Sequence, residues 1–394
     1  MTTLRTYAVT ASTTTAALRE LEQKISAMTE EPRLLFAFYD CCHDGALLHT
    51  FLKSRFPRTG VIGGTSSGGF MTEHGFHGPG SIGLLCIDDP EGDYGVAAAP
   101  LGEDPAATAE RLLHEALAAC DCIGELPELI WLYQALGQEE RVLEGLRRVV
   151  GDRCAIIGGS SADNDVTGQW CQLGPGGLLH DGLVVSVLFP SSPIGYAFQS
   201  GYEPTGESGI VTVNAGREIL TIDNKPAAAV YNDWIGGHIS SQLVSGGSVL
   251  AATTLLPIAL DIGESDGVSN YLLIHPESVT PQGTLRTFSN LPQGGRIFAM
   301  KGDQQQLIER AGRVAEQARQ RLPKSSSEVS GALLVYCGGC KLAIDERIRD
   351  VANTVRQGLG SAPFIGCFTF GEQGRILDQN MHGNLMISAI IFGS

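Results

Sequence analysis

Two cysteine groups, three runs of small hydroxyl residues and nine histidines hold the chemistry open to this sequence. Cys337-Gly-Gly-Cys340 follows one apolar run and Cys41-Cys42-His43 follows another. A structural zinc site takes two cysteine pairs, or one pair with two histidines. One CxxC and one CCH reach that only if their loops meet. A thioredoxin-like redox pair needs a helix that begins inside the motif, and the two glycines oppose one there. Gly64-Thr65-Ser66-Ser67-Gly68 matches the bare GxSxG pattern, with Ser66 just after a strand-like run. A nucleophile elbow needs a helix immediately afterwards. The following Gly69-Phe70-Met71-Thr72-Glu73 does not read as helical, so a serine hydrolase using Ser66 is the third-ranked reading. The Gly63-Gly64 pair opens no helix, so no phosphate loop or dinucleotide fingerprint is present.

The hydroxyl runs belong to a phrase written three times: VIGGTSSGGF from Val61, AIIGGSSADND from Ala155 and PFIGCFTFGEQG from Pro363. In each, an apolar run suits a buried strand, a glycine permits a sharp turn or close approach, and short polar residues follow. Before each phrase lie an apolar run ending at Tyr39, Tyr133 or Tyr336 and a helix-like segment. After each lies another apolar strand, from Ser81, Gly182 or Asn384. Upstream, short strands precede amphipathic helices. Leu18, Leu21, Ile25 and Met28 mark one apolar face, and Asp104-Pro105 and Asp303 are helix starts. A unit of strand-helix-strand-helix-strand-strand thus recurs over residues 5–90, 95–190 and 296–392.

The predicted fold class is α/β, in two domains built from these units. The first domain is 1–190, with two units. The second is 191–394, made of a non-repeat block at 191–295 and the third unit. Within the block, Ile210–Val213 and Ile219–Ile222 read as strands, Ala227–Trp234 as a helix opened by Pro226, and Tyr271–Ile274 as another strand. Pro323 to Ser327 reads as a surface loop.

The net charge of −16 opposes nucleic acid and anionic membrane surfaces as partners. No apolar run of about 18 residues occurs, so no membrane insertion is expected. The first residues carry no apolar stretch of a secretory leader. Ten cysteines scattered over 394 residues are no disulfide framework, and a cytoplasmic location with reduced thiols is expected.

In strand-helix units ligands favour the crevice at the carboxyl ends of the strands. That rule collects Thr65, Ser66, Ser67, Ser160, Ser161, Asp163, Cys337 and Glu372 as candidate ligand contacts. Tight-turn formation explains the same serines equally well. His77, His180 and His382 each precede the last strand of their unit, a repeated position that suggests a turn-capping role.

The chain resembles the FIST proteins, with an N-terminal and a C-terminal FIST domain, over nearly its whole length. The motifs are Gly63-Gly64-Thr65-Ser66-Ser67-Gly68-Gly69, Gly158-Gly159-Ser160-Ser161-Ala162-Asp163, Asn224-Lys225-Pro226-Ala227, the Cys337 turn, Gly371-Glu372-Gln373-Gly374 and His382-Gly383-Asn384. The resemblance implies a sensory module that binds a small ligand and is not an enzyme. Some similar stand-alone members are haem proteins that sense nitric oxide and regulate a histidine kinase. It therefore implies haem b, with the kinase as partner. An axial histidine needs an apolar wall, which ranks His238 first for its neighbours Trp234, Ile235, Ile239 and Leu243, then His43, then His275. The alternative is a haem-free sensor of an amino acid or similar metabolite. No CxxCH occurs, so covalent haem attachment is excluded by pattern.

Overall fold

The structure is a computed structural model that describes residues 2–265, 267–324, 326 and 328–394. Of the loop expected at Pro323 to Ser327, Ser325 and Ser327 lie outside the described residues.

The first unit runs β1 (Thr3–Thr10), α1 (Thr14–Ile25), β2 (Leu34–Tyr39), α2 (Gly45–Arg55), β3 (Gly60–Thr65), the hairpin β4 (Phe70–Thr72) and β5 (Gly75–His77), and β6 (Ser81–Asp88). The second repeats it: β7 (Asp93–Pro100), α3 (Pro105–Ala119), β8 (Leu129–Gln134), α4 (Glu139–Val150), β9 (Ala155–Ser160), the hairpin β10 (Gln172–Gly174) and β11 (Gly177–Leu179), and β12 (Gly182–Phe189). Helix starts follow the sequence: the Asp104 side chain accepts from Ala106 and Ala107 N–H, with Pro105 in the first turn.

The third unit opens earlier than its sequence suggests. β13 (Ile194–Ser200) pairs antiparallel with the last strand of the chain, as β1 pairs with β6 and β7 with β12. The chain then leaves the repeat. An inserted block carries β14 (Glu203–Ala215), β15 (Glu218–Ile222), β16 (Lys225–Pro226), α5 (Ala227–Trp234), α6 (Ser240–Ser245), β17 (Gly247–Ser248), α7 (Leu250–Thr253), β18 (Ile258–Ser265), β19 (Val268–Ile274), β20 (Pro276–Val279), β21 (Leu285–Thr287) and β22 (Arg296–Lys301). The unit resumes with α8 (Gln304–Gln320), β23 (Val329–Cys337), α9 (Gly338–Ile344), α10 (Ile348–Leu359), β24 (Phe364–Thr369), the hairpin β25 (Glu372–Ile376) and β26 (Gln379–Gly383), and β27 (Met386–Gly393). RIFAMK, expected to open the third unit at 296, is β22 and pairs with β14 and β18 inside the block. Both it and IGYAFQS are short apolar strands, and only long-range pairing distinguishes them.

Each unit forms a mixed six-stranded sheet, and each sheet is completed by another unit's hairpin. β10-β11 extends the first sheet at β3, β25-β26 extends the second at β9, and β4-β5 extends the third at β24. The block forms its own nine-stranded sheet. Inner faces of the three unit sheets share one core that includes Phe36, Phe38, Trp131, Tyr133, Leu333 and Val335. Phe36 meets Trp131 edge-on at 5.5 Å between centroids. Burying each such side chain stabilises by about 1.5–3 kcal/mol. The helices cover the outer faces. No helix among the described residues is long and apolar enough to cross a membrane.

Pairing register shifts one expected equivalence. Tyr39 opposes Thr65, Gln134 opposes Ser160 and Tyr336 opposes Phe368, so Gln134, not Tyr133, matches the other two tyrosines. A helix does begin at the CxxC motif: α9 starts immediately after Cys337. Burial of Cys340 and Ile344 overrides the glycine propensity there.

Candidate ligand-binding site

The three Gly-marked corners do meet, and they close on one another. Ala162 N–H donates to Thr65 O (3.2 Å), Ser67 N–H to Phe368 O (3.1 Å) and Phe370 N–H to Ser160 O (3.1 Å). By register these are three copies of one bond, a cycle linking second unit to first, first to third and third to second. The glycines make the approach feasible. A Cβ on Gly64 would lie 2.2 Å from Cys171 O of the second unit, and one on Gly159 2.4 Å from Thr369 Cγ2 of the third.

Ser66, Ser161 and Thr369, at one register, each reach their own corner's outgoing hairpin, while the hydroxyls before them bond elsewhere. Ser66 Oγ donates to Gly69 O (2.5 Å) and accepts from Phe368 N–H (2.8 Å). Ser161 Oγ accepts from Gln172 Nε2 (2.7 Å), and Thr369 Oγ1 donates to Glu372 Oε1 (2.8 Å). Thr65 Oγ1 accepts from Cys171 N–H, and Ser160 Oγ donates to Glu139 Oε1 (2.8 Å). Asp163 accepts from the N–H groups of Val166, Thr167 and Gln169 and so shapes that loop. Ser67 Oγ is buried without a partner among the described residues, and Ser67 O accepts from Lys341 Nζ (2.7 Å). Burial lowers Lys341 to about 8, against the upward pull of Asp40 and Asp345. Of the eight candidate contacts, seven thus lie within the closed corners; Cys337 lines an open cavity.

That cavity, about 390 Å³, lies beside the corners, beneath the inserted block. The block supplies Leu250, Leu255, His275 and Phe288, and the corner loops supply Leu136, Val166, Cys337 and Phe370. Val166 and Leu342 are exposed apolar residues on its walls. The size and apolar lining are those of a small-molecule site. Leu136, Phe288 and Phe370 also line an adjoining recess of about 420 Å³, which holds Glu139, Arg217, Glu218 and Arg286.

Two polar side chains in the chamber are left unsatisfied among the described residues. His275 Nε2 is buried with no partner, and burial pushes its pKa down to about 4, with a smaller upward pull from the Leu250 backbone. The imidazole is therefore neutral at pH 7. Asn384 Oδ1 accepts from Ser289 Oγ (2.8 Å) and His275 N–H (3.2 Å), which leaves Asn384 Nδ2 as a buried free donor. Behind Cys337, burial and that thiol raise the Glu372 carboxyl well above its usual range, and burial raises the Cys337 thiol.

The other two histidines ranked above His275 lie elsewhere. His238 is exposed in a turn between α5 and α6, not on a helix, and its Nδ1 contacts Ile235 O. His43 is buried with its Nδ1 3.3 Å from Thr14 Oγ1. The Cys41-Cys42-His43 loop forms no metal-like cluster with Cys337 and Cys340 among the described residues. Instead Asp40 of that corner accepts from Asn164 Nδ2 (3.1 Å). The three unit-end histidines occupy different registers. His77 opposes Phe70, His180 follows β11, and His382 opposes Gln373.

Sequence reasoning missed an ionic cluster at the edge of the recess. Arg217 Nη2 lies 2.6 Å from Glu139 Oε2 and 2.6 Å from Glu140 Oε2, and His382 Nδ1 lies 3.1 Å from Glu140 Oε1. Burial raises both carboxyls, but His382 and Arg217 outweigh it and hold them below the usual range. The pair sits in the first turn of α4, where the helix dipole favours negative charge. Glu139, Glu140 and His382 place ligand atoms close enough for a metal ion, yet Arg217 already supplies the positive charge.

The model of the FIST N domain matches residues 33–225, and that of the FIST C domain matches residues 227–375. No curated protein sequence matches the chain. Among solved structures, cyanuric acid hydrolase from A. caulinodans aligns over 100% of both chains at 9% identity and a TM-score of 0.35. A second cyanuric acid hydrolase structure aligns over 100% of both chains at 7% identity and 0.39. PurLQS from Thermotoga maritima aligns over 96% of this chain and 82% of its own at 10% identity and 0.20. At these scores nothing about activity carries over.

Proposed function

Because the chain belongs to the FIST family, whose domains are sensory ligand-binding modules of signal transduction, we propose that it holds a small ligand reversibly in the chamber under the inserted block, without transforming it. The observation that carries this reading is His275: a neutral imidazole on an apolar wall, with Nε2 buried and unbonded among the described residues. In an apolar surround such a group demands a partner, since an unmet polar atom costs about 1–3 kcal/mol.

The finer reading is haem b with His275 as axial ligand, nitric oxide as signal, a histidine kinase as partner and the cytoplasm as location. His275 fits an axial role: its ring is neutral, its Nε2 is unbonded among the described residues, and Leu250, Leu255 and Phe288 would face a porphyrin. Arg286, in the adjoining recess, would suit the carboxylates of an amphipathic ligand. Bound iron would supply the coordination position for a diatomic gas. Nitric oxide, the kinase and the compartment rest on the family resemblance. The runner-up, a haem-free sensor of a metabolite, is favoured by Asn384 Nδ2, a free donor aimed at hydrogen bonding and not at metal. The hydrolase reading is set aside because Ser66 Oγ is held between Gly69 O and Phe368 N–H.

Haem titration into the purified protein tests the first reading. A Soret band is expected for the wild type and a weakened, shifted band for His275→Ala. An unchanged band in that variant, or no band in the wild type, removes it. Ligands of the second reading should raise the melting temperature of the colourless protein.

A further inference from the structure

A separate cavity of about 590 Å³ at the third unit is walled by β13, α8, the turn between β25 and β26, and β19. Four arginines line it: Arg310 and Arg313 on α8, Arg321 at its C-terminal end and Arg375 on β25. Gathering four cations in one groove is costly, and this chain carries a net charge of −16, so local charge runs against the whole.

The arginines are incompletely answered by the protein. Among the described residues, Arg310 and Arg321 have no carboxylate within ion-pair distance. Arg313 pairs with Glu309 (3.2 Å) and Arg375 with Asp378 (3.3 Å), both across exposed carboxylates. Glu203, also in the wall, is 3.1 Å from Lys301. Arg310 gives one guanidinium hydrogen to Gln199 Oε1, and Arg321 donates to Tyr196 O (2.9 Å) while lying 5.8 Å over that ring. Nε of Arg310 and Nε of Arg375 are buried with no acceptor among the described residues. A buried guanidinium N–H left unbonded is destabilising, and a guanidinium does not lose its proton to relieve it. Its planar fork matches the oxygens of carboxylate and phosphate.

We propose that this groove binds a multiply charged oxyanion, the phosphate or diphosphate group of a small metabolite, with Arg310 and Arg375 as its inner donors and Arg313 and Arg321 at its rim. The cavity exceeds the needs of a bare anion and leaves room for an organic body against Tyr196, Tyr202 and Tyr271. The site is separate from the chamber that His275 lines, so either can fail without the other.

Isothermal titration with inorganic phosphate and pyrophosphate, at low and high salt, tests the site. The wild type should bind pyrophosphate more tightly than phosphate, with affinity falling as salt rises. Arg310→Gln and Arg375→Gln should each weaken binding at least tenfold, whereas Arg111→Gln, on the exposed face of α3, should leave it unchanged. Arg321→Gln, at an exposed position, gives the same reading on a smaller scale should Arg310→Gln fail to fold. Absence of binding to the wild type, equal losses in Arg310→Gln and Arg111→Gln, or full binding by Arg375→Gln and Arg321→Gln together would overturn the proposal.

Discussion

Replacing Arg217 with Met should destabilise the protein by about 3 kcal/mol at pH 7, at the low end of the range for breaking a buried ion pair. Arg217 retains 24% of its side-chain exposure and Glu140 27%, while Glu139 retains 3%. Removing the guanidinium leaves two carboxylates in one site, with Glu139 almost without water. The effect should depend on pH, and its sign follows from the wild type. Both carboxyls have folded-state pKa values below the usual range. Their stabilising contribution is therefore fully present above the unfolded value of about 4.3 and is lost as pH falls through the folded values. In Arg217→Met the folded values rise, so the variant is penalised most at pH 7 and regains ground as its carboxyls take up protons. Urea unfolding of both proteins at pH 7, 5.5 and 4.5 measures the difference. A deficit under about 0.5 kcal/mol at pH 7, or one constant across that range, would refute the account. The same variant should also loosen the inserted block, since Arg217 belongs to the turn after β14 while the two glutamates belong to α4 of the second unit.

Gly158→Ala should cost upwards of about 1–3 kcal/mol, because the added Cβ would lie 2.0 Å from Leu132 O in the paired strand and no side-chain motion relieves a backbone clash; Gly176→Ala, with nothing within 4 Å, should be nearly neutral in the same unfolding assay. Asp163→Ala should strip the acceptor from three backbone N–H groups and speed amide exchange at Val166, Thr167 and Gln169, with a stability loss of about 2–3 kcal/mol.

The threefold repeat was legible because it is written locally, as strand-like runs, capped helices and glycines at fixed intervals. The close approach expected of Gly63 and Gly158 is what the paired strands require. Helix α5 was legible from Pro226, and α3 from Asp104 and Pro105. The exchange of hairpins was not. Phe70–Thr72 and Gln172–Gly174 are three residues each, and nothing in three residues says which of three similar sheets they extend. The chamber was hidden for a related reason. Leu136, His275, Phe288 and Phe370 come from three separate regions, and each alone reads as ordinary core or loop. The hydroxyl runs were ambiguous because Ser serves a turn and a ligand with the same atom. Glu139-Glu140 passed unnoticed because two acids opening a helix already satisfy its dipole.

The departure from symmetry marks the corner beside which the chamber lies. At the register of Thr65 and Ser160 the third unit has Phe368, and at that of Ser67 and Ala162 it has Phe370. Phe368 packs against Tyr336 and Phe76, with Lys341 Nζ 5.3 Å from its centroid, and so fills its own corner. Phe370 turns outward, meets Trp170 edge-on at 6.3 Å and forms part of the chamber wall. An apolar ring at that position would be exposed in a bare repeat. Here the inserted block, which leaves the third unit after β13, lies over it and brings Phe288 and His275 opposite. The block thus closes a hollow over loops of the second and third corners, while the hydrogen-bonded cycle links all three. Ligand occupancy would therefore act first on the seating of the block, whose attachments include the Arg217 ion pairs and the Asn384–Ser289 bond.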